Sequence, residues 1–254
     1  MPSHMTALGF PVTTEQDFRH YVYQASEFGR KIETPNGSYT LWEVGSGIEL
    51  WVQTNLHKRI LGMKPHFRGQ TSVRVGLMKH VSRQQQTILD GAFYAWTNPV
   101  TDDPESGTSP FVFDLPDYDT YHTVSLPCII DAQLAAFAHR LIGFANEETY
   151  LASQNKDIKF AAESLIPIGL FTPAGKHKEP PLAEIILNGR VLETARLTNP
   201  VTSQKFYWAR IRTLGGEMDV VADPQIVQGN LVQDGIIHGT FWLSGRLISE
   251  YRTL

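Results

Sequence analysis

Cysteine is almost absent from this sequence. Cys128 is the only one among 254 residues, so the chain makes no internal disulfide and builds no thiolate metal cluster. It stands in LPCII, an apolar setting that raises a thiol's pKa, and reads as an inert structural thiol rather than a nucleophile working with His122 or His139. No apolar run approaches the ~18 residues of a membrane-spanning helix, so no membrane association is expected. The opening MPSHM has no basic segment followed by an apolar stretch, which excludes a secretory signal and makes the cytoplasm the expected compartment. Ser3-His4-Met5 reads as a cloning remnant, with Met5 as the expected natural start. The GxxxxGK[ST], GxGxxG, HExxH and GxSxG patterns are also missing, which argues against the commonest nucleotide, zinc-protease and serine-hydrolase sites. No cofactor, metal or catalytic residue is assigned on this basis.

Charge is sparse at 19%, below the ~25% of ordinary soluble domains, whereas aromatic residues reach 11% and exclude disorder as the main state. The net charge of −4 argues against the whole chain being a phosphate-backbone binder. Its distribution is uneven. Residues 1–150 carry 11 Lys/Arg against 16 Asp/Glu, yet the window from Leu50 to Leu89 contains no acid and holds seven Lys/Arg with His57, His66 and His80. Within that window HFRGQTSVRVG joins His66, Phe67 and Arg68, the chemistry that grips a phosphate backbone and stacks a base, or else forms a solvated face.

Thr13 and Thr14 both offer N-caps to an amphipathic helix from about Glu15 to Phe28, and Gly29 ends it. SYTLWEV and IELWVQT across Gly45-Ser46-Gly47 predict a β-hairpin. TSVRVGLM, LDGAFYAW and SPFVFDL predict three more strands, the last two separated by the polar loop from Thr101 to Ser109. Asp131 then predicts a second capped helix, with Leu134, Ala135, Ala138, Leu141, Ile142 and Ala145 on one face. FAAESLIPIGLF reads as a short helical turn leading into a strand, and TPAGKHKEPP, residues 172–181, as a linker. TNPVT occurs twice, at Thr97–Thr101 and Thr198–Thr202; Asn-Pro is a favoured turn starter and the flanking spacings differ, so the match reads as turn chemistry rather than a duplicated hairpin.

Beyond the linker, AEIILNGRVLETARL is a long strand with a central glycine. FYWARIRTL and EMDVVAD pair across Gly215-Gly216, DPQIVQGN is a short connector, and GIIHGTFWLSGRLISEY is punctuated by Gly239 and Gly245. This order resembles an OB-fold over about 73 residues: the first run is similar to the bent OB first strand, and QDGIIHGTFWLSG to the strand after the OB connector. The resemblance implies a small barrel that binds single-stranded nucleic acid, oligosaccharide or protein. The expected fold is therefore α+β, with an N-terminal mixed α/β-sheet domain over 6–171 and an OB-like β-barrel over 182–254.

Strand alternation places Phe206, Trp208, Arg210 and Arg212 on one face and Tyr207, Ala209 and Ile211 on the other, which looks like the barrel interior. An exposed Trp between arginines requires a reason: either that face docks a ligand, with Arg246 beside Phe241 and Trp242 extending it, or the N-terminal part covers it. The function expected is non-catalytic binding through Phe206, Trp208, Arg210, Arg212, Arg246, His66 and Arg68, with a single-stranded nucleic acid or protein partner. A plain homo-oligomer is a further possibility. The alternative is an enzyme with an acid/base or metal-assisted pocket drawn from Glu49, His66, Asp114, Asp117 and His122, carboxylates and imidazoles on separate elements. A cap-and-turn role for the Asp residues around Pro116 competes with it.

Overall fold

In the computed structural model the described residues are 4–100, 102–155, 159–170 and 180–248. Helix α1, Glu15–Phe28, begins at Thr14, whose hydroxyl accepts from the Asp17 N–H at 3.1 Å while the Asp17 carboxylate accepts from the Thr14 N–H at 2.8 Å. This reciprocal cap satisfies two helix-start donors, and Tyr21, Val22 and Ala25 form the buried stripe. An antiparallel four-stranded sheet follows: β1 (Arg30–Thr34), β2 (Gly37–Gly45), β3 (Ile48–Asn55) and β4 (Ile60–Phe67). The β2–β3 hairpin turns where expected, with Gly45 and Gly47 at φ of 110° and 79°, which glycine permits without strain, on either side of Ser46 at 52°. β4 had no counterpart in the sequence reading, since ILGMKPHF carries Pro65 and no regular alternation.

The second sheet has ten strands: β5 (Val73–Val81), β6 (Gly91–Thr97), β7 (Pro110–Leu115), β8 (Cys128–Phe144), β9 (Ser164–Pro167), β10 (Glu184–Thr198), β11 (Lys205–Thr213), β12 (Gly216–Ala222), β13 (Val227–Gly229) and β14 (Ile236–Ile248). Its pairings close two circuits that share β8 and β14: β8–β5–β6–β7–β14 and β8–β12–β11–β10–β14. Strands on either side of 172–181 thus belong to one sheet. Most of the expected linker, 172–179, lies outside the described residues.

The segment expected as a helix after Asp131 is β8 instead. Ala132, Leu134, Ala136 and Ala138 point into the circuits, while Ala135 and Phe137 join the layer outside. A strand buried on both faces shows no polar alternation, so its apolar residues also fit helical spacing, and pairing with β5, β12 and β14 overrides alanine's helix preference. Asp131 caps nothing; it sits opposite Arg74 on β5. A short helix, α2 (Glu147–Ser153), comes after β8 and is capped by Asn146.

The inner core is lined by Val75, Phe93, Phe113, Leu134, Ile211, Val220 and Phe241. A second core lies between the outside of β8, β11, β12 and β14 and a covering layer made of Met5–Phe10, α1 and the first sheet, joining Phe10, Trp42, Leu50 and Phe67 to Phe137, Phe206, Trp208 and Trp242. The chain is mixed α and β and mostly sheet, with two α-helices among the described residues. None of its described helices is long and apolar enough to cross a membrane.

Candidate functional site

The covering layer decides the fate of the face predicted to bind. Phe206 is 0% exposed and meets Phe67 edge-to-face at 6.2 Å. Trp208 is 7% exposed, and its indole N–H donates to Asp219 Oδ1 at 2.8 Å, while Asp219 Oδ2 accepts from the Thr71 hydroxyl at 2.7 Å. The open docking face expected for these two aromatics is therefore corrected: the N-terminal layer covers them, and Trp208 is a core residue with a satisfied polar edge. Arg210 lies between Glu193 and Glu217, and Arg212 makes a bidentate pair with Glu163 at 3.0 and 2.9 Å.

The other three predicted residues do come together. Arg68 and Arg246 line a cavity of about 370 Å³ with Thr71 and Gln133. His66 stands behind it, hydrogen-bonded to Gln133 at 2.7 Å and to Ser244 at 2.8 Å. Burial, reinforced by Arg246, brings the His66 imidazole down to about 3, so it is neutral. Arg246 contacts Glu49 and Asp117 and lies 4.7 Å over the Trp51 ring, and Arg68 pairs with Glu43 and Glu49. Carboxylates thus neutralise both guanidiniums, and the group works as a polar joint between the two sheets.

Only part of the acid/base set comes together, since Asp117 shares Arg246 with Glu49 beside His66. Glu49 and His66 are register partners, but Asp114 bonds to Arg83 and Trp242, and His122 belongs to a different cleft. Among the described residues, no group of three or more His, Cys, Asp or Glu is arranged to hold a metal ion. Cys128 is half-buried, and burial pushes its thiol up.

A different part of β10 and β11 faces an open groove. Thr198 closes β10, and Asn199 Oδ1 accepts from the Val201 and Thr202 N–H groups at 2.9 and 3.2 Å, so the second TNPVT is a side-chain-stabilised turn. The same turn holds the N-terminal segment: Asn199 Nδ2 donates to the Leu8 carbonyl at 2.9 Å, and the Thr202 hydroxyl to the Gly9 carbonyl at 2.6 Å. Between them runs a groove of about 760 Å³ whose lining includes Thr13, Arg196, Ser203, Gln204, Lys205 and Asp223.

The register places Arg196 opposite Tyr207 and Thr198 opposite Lys205, so Arg196, Tyr207 and Lys205 share one face. The Arg196 guanidinium lies 5.6 Å from the centre of the half-buried Tyr207 ring. Among the described residues neither Arg196 nor Lys205 forms an ion pair. The acid on the groove lining, Asp223, has Oδ1 occupied by the Gln225 N–H. Tyr207 packs against the inner core with Ala209 and Ile211, on the face that alternation assigned to the interior. Only the pairing with β10 brings Arg196 over its ring, and no local signal marked Arg196 or Lys205. Comparisons with protein families, curated proteins and solved structures found no match for this chain.

Proposed function

We propose that this is a non-catalytic binding protein that holds single-stranded nucleic acid in the groove between its N-terminal segment and the β10–β11 turn. The observation that carries this reading is the pair Arg196 and Lys205 on the groove lining, two cations without an ion pair among the described residues, the Arg196 guanidinium lying over the half-buried Tyr207 ring. Two such cations neutralise phosphates, and the planar Arg196 guanidinium offers a base a stacking surface without reading its edge. The OB-like reading of 182–254 is supported by the order β10, β11, β12, connector, β14 and by the pairings of β10 with both β11 and β14. The circuit through these strands is completed by β8, which comes from earlier in the chain.

The test is fluorescence polarisation with labelled single-stranded DNA and RNA of about 20 nucleotides, a length spanning more than one OB-sized site. Two neutralised phosphates give a log–log salt slope of about −1.4, or roughly sevenfold weaker binding between about 50 and 200 mM salt. The R196Q/K205Q variant should lose that slope. Absence of binding at low salt, or an R196Q/K205Q variant with unchanged affinity and slope, refutes the reading.

A further inference from the structure

The donors around a second cleft, remote from the groove in sequence, are unevenly used. This cleft, of about 460 Å³, opens between the segment after β5 and the turn at 118–122, and is lined by His80, Arg83, Gln86, Tyr118 and His122 together with Asp90 and Asp119. Its two carboxylates are already committed to holding the fold. Asp119 accepts from the Asn36 backbone N–H at 3.0 Å and from its side chain at 2.8 Å. Asp90 accepts from Gln53, from the Thr87 N–H and from the Thr87 hydroxyl, and pairs with Lys64.

The cationic and donor groups are less fully engaged. Arg83 gives Nη1 to Asp114 at 2.7 Å and Nε to the Pro181 carbonyl at 3.1 Å, but its Nη2 is buried without a hydrogen-bond partner among the described residues. A guanidinium nitrogen left in that state costs free energy that an acceptor would recover. His122 Nδ1 bonds to the Asp119 carbonyl at 2.9 Å, and because a carbonyl only accepts, Nδ1 carries the hydrogen. His80 Nδ1 bonds to the Tyr118 hydroxyl at 2.9 Å. Each imidazole is therefore fixed through one nitrogen, and among the described residues neither Nε2 has a partner.

We propose that this cleft binds a small oxyanion, a phosphate or carboxylate group, between Arg83 and the two imidazoles. The several oxygens of such a group match groups arriving from different elements, and its charge offsets the burial that holds the His80 imidazole toward its neutral form. The cleft exceeds the size of a bare ion, so the natural ligand carries an organic substituent beyond the anionic group.

The experiment follows the imidazole C–H signals of the full chain by NMR at mildly acidic pH while inorganic phosphate, and separately acetate, is added. The signals of His80 and His122 should move together and saturate with one dissociation constant. That constant should rise about tenfold in His122→Gln, the loss of one charge-assisted contact. Arg83→Gln should weaken binding as well; His122→Gln is the safer variant, because that side chain is exposed and outside the core. R196Q/K205Q should leave the titration unchanged, which separates this cleft from the nucleic-acid groove. A response to phosphate alone assigns a phosphate ligand, and a response to both anions assigns the wider oxyanion class. Signals that stay still or drift without saturating overturn the proposal, as does a His122→Gln variant that binds as tightly as the native chain.

Discussion

Replacing Arg246 by Met should be among the most damaging single changes in the protein, and the damage should depend on pH. The guanidinium lies 3.3 Å from Glu49 Oε2 and 3.2 Å from Asp117 Oδ2, and these side chains are 15%, 1% and 0% exposed respectively. Methionine roughly preserves the volume but removes the cation from two buried carboxylates. Removing one partner from such an arrangement costs about 3–5 kcal/mol, because the remaining charge is left desolvated. For a chain of this size that corresponds to a melting temperature lower by roughly 6–20 °C. Glu49 keeps the Trp51 indole N–H at 3.0 Å and Arg68 at 3.6 Å, which places the loss toward the lower end of that range.

Burial already pushes the Glu49 carboxyl above its ordinary value, against the pull of Arg246. Without the guanidinium it should rise further. A carboxyl whose folded pKa exceeds its unfolded one favours the fold at low pH and loses that contribution as pH rises through the folded value. The deficit of Arg246→Met should therefore shrink as pH falls from about 8 to about 5, and adding Glu49→Gln should recover part of it at the higher pH. Urea unfolding of the native chain and the two variants at both pH values measures this. A deficit below about 1 kcal/mol at the higher pH, or one that grows on acidification, refutes the account.

Trp208→Phe removes the indole N–H from buried Asp219 and should lower stability by about 1–3 kcal/mol in urea unfolding. Polarisation should find oligonucleotide affinity unchanged in this variant, because Trp208 lies under the covering layer. Gly69→Ala would drive a Cβ into the Asp219 carboxylate that Thr71 and Trp208 share, and should cost about 1–3 kcal/mol by thermal or urea unfolding. His66 is held neutral in the fold, its pKa lowered from 6.5 to about 3. Its contribution is present above the unfolded value and is lost as pH falls toward the folded one, opposite in sign to that of Glu49. Unfolding free energies measured between about pH 7 and pH 4 should show this slope, and His66→Asn should flatten it.

Where structure was written in short range, the sequence by itself determined it. Thr14, the spacing of Tyr21, Val22 and Ala25, and Gly29 are enough to define α1, because caps and stripes act within a few residues. The turns at Gly45-Ser46-Gly47 and Gly215-Gly216 set two hairpins for the same reason. Only tertiary structure decided the rest. β8 read as a helix because both its faces are buried, and its strand state comes from β5, β12 and β14, two of which lie some 80 to 110 residues later in the chain. Trp208 looked exposed because alternation defines two faces but does not say what covers either of them. His66, Arg68 and Arg246 were legible as polar residues of interest, but Glu49 and Asp117, which neutralise the arginines, come from other elements. Arg196, Tyr207 and Lys205 became a set only through the β10–β11 register, since residues that share a face across two strands have no fixed spacing in the sequence.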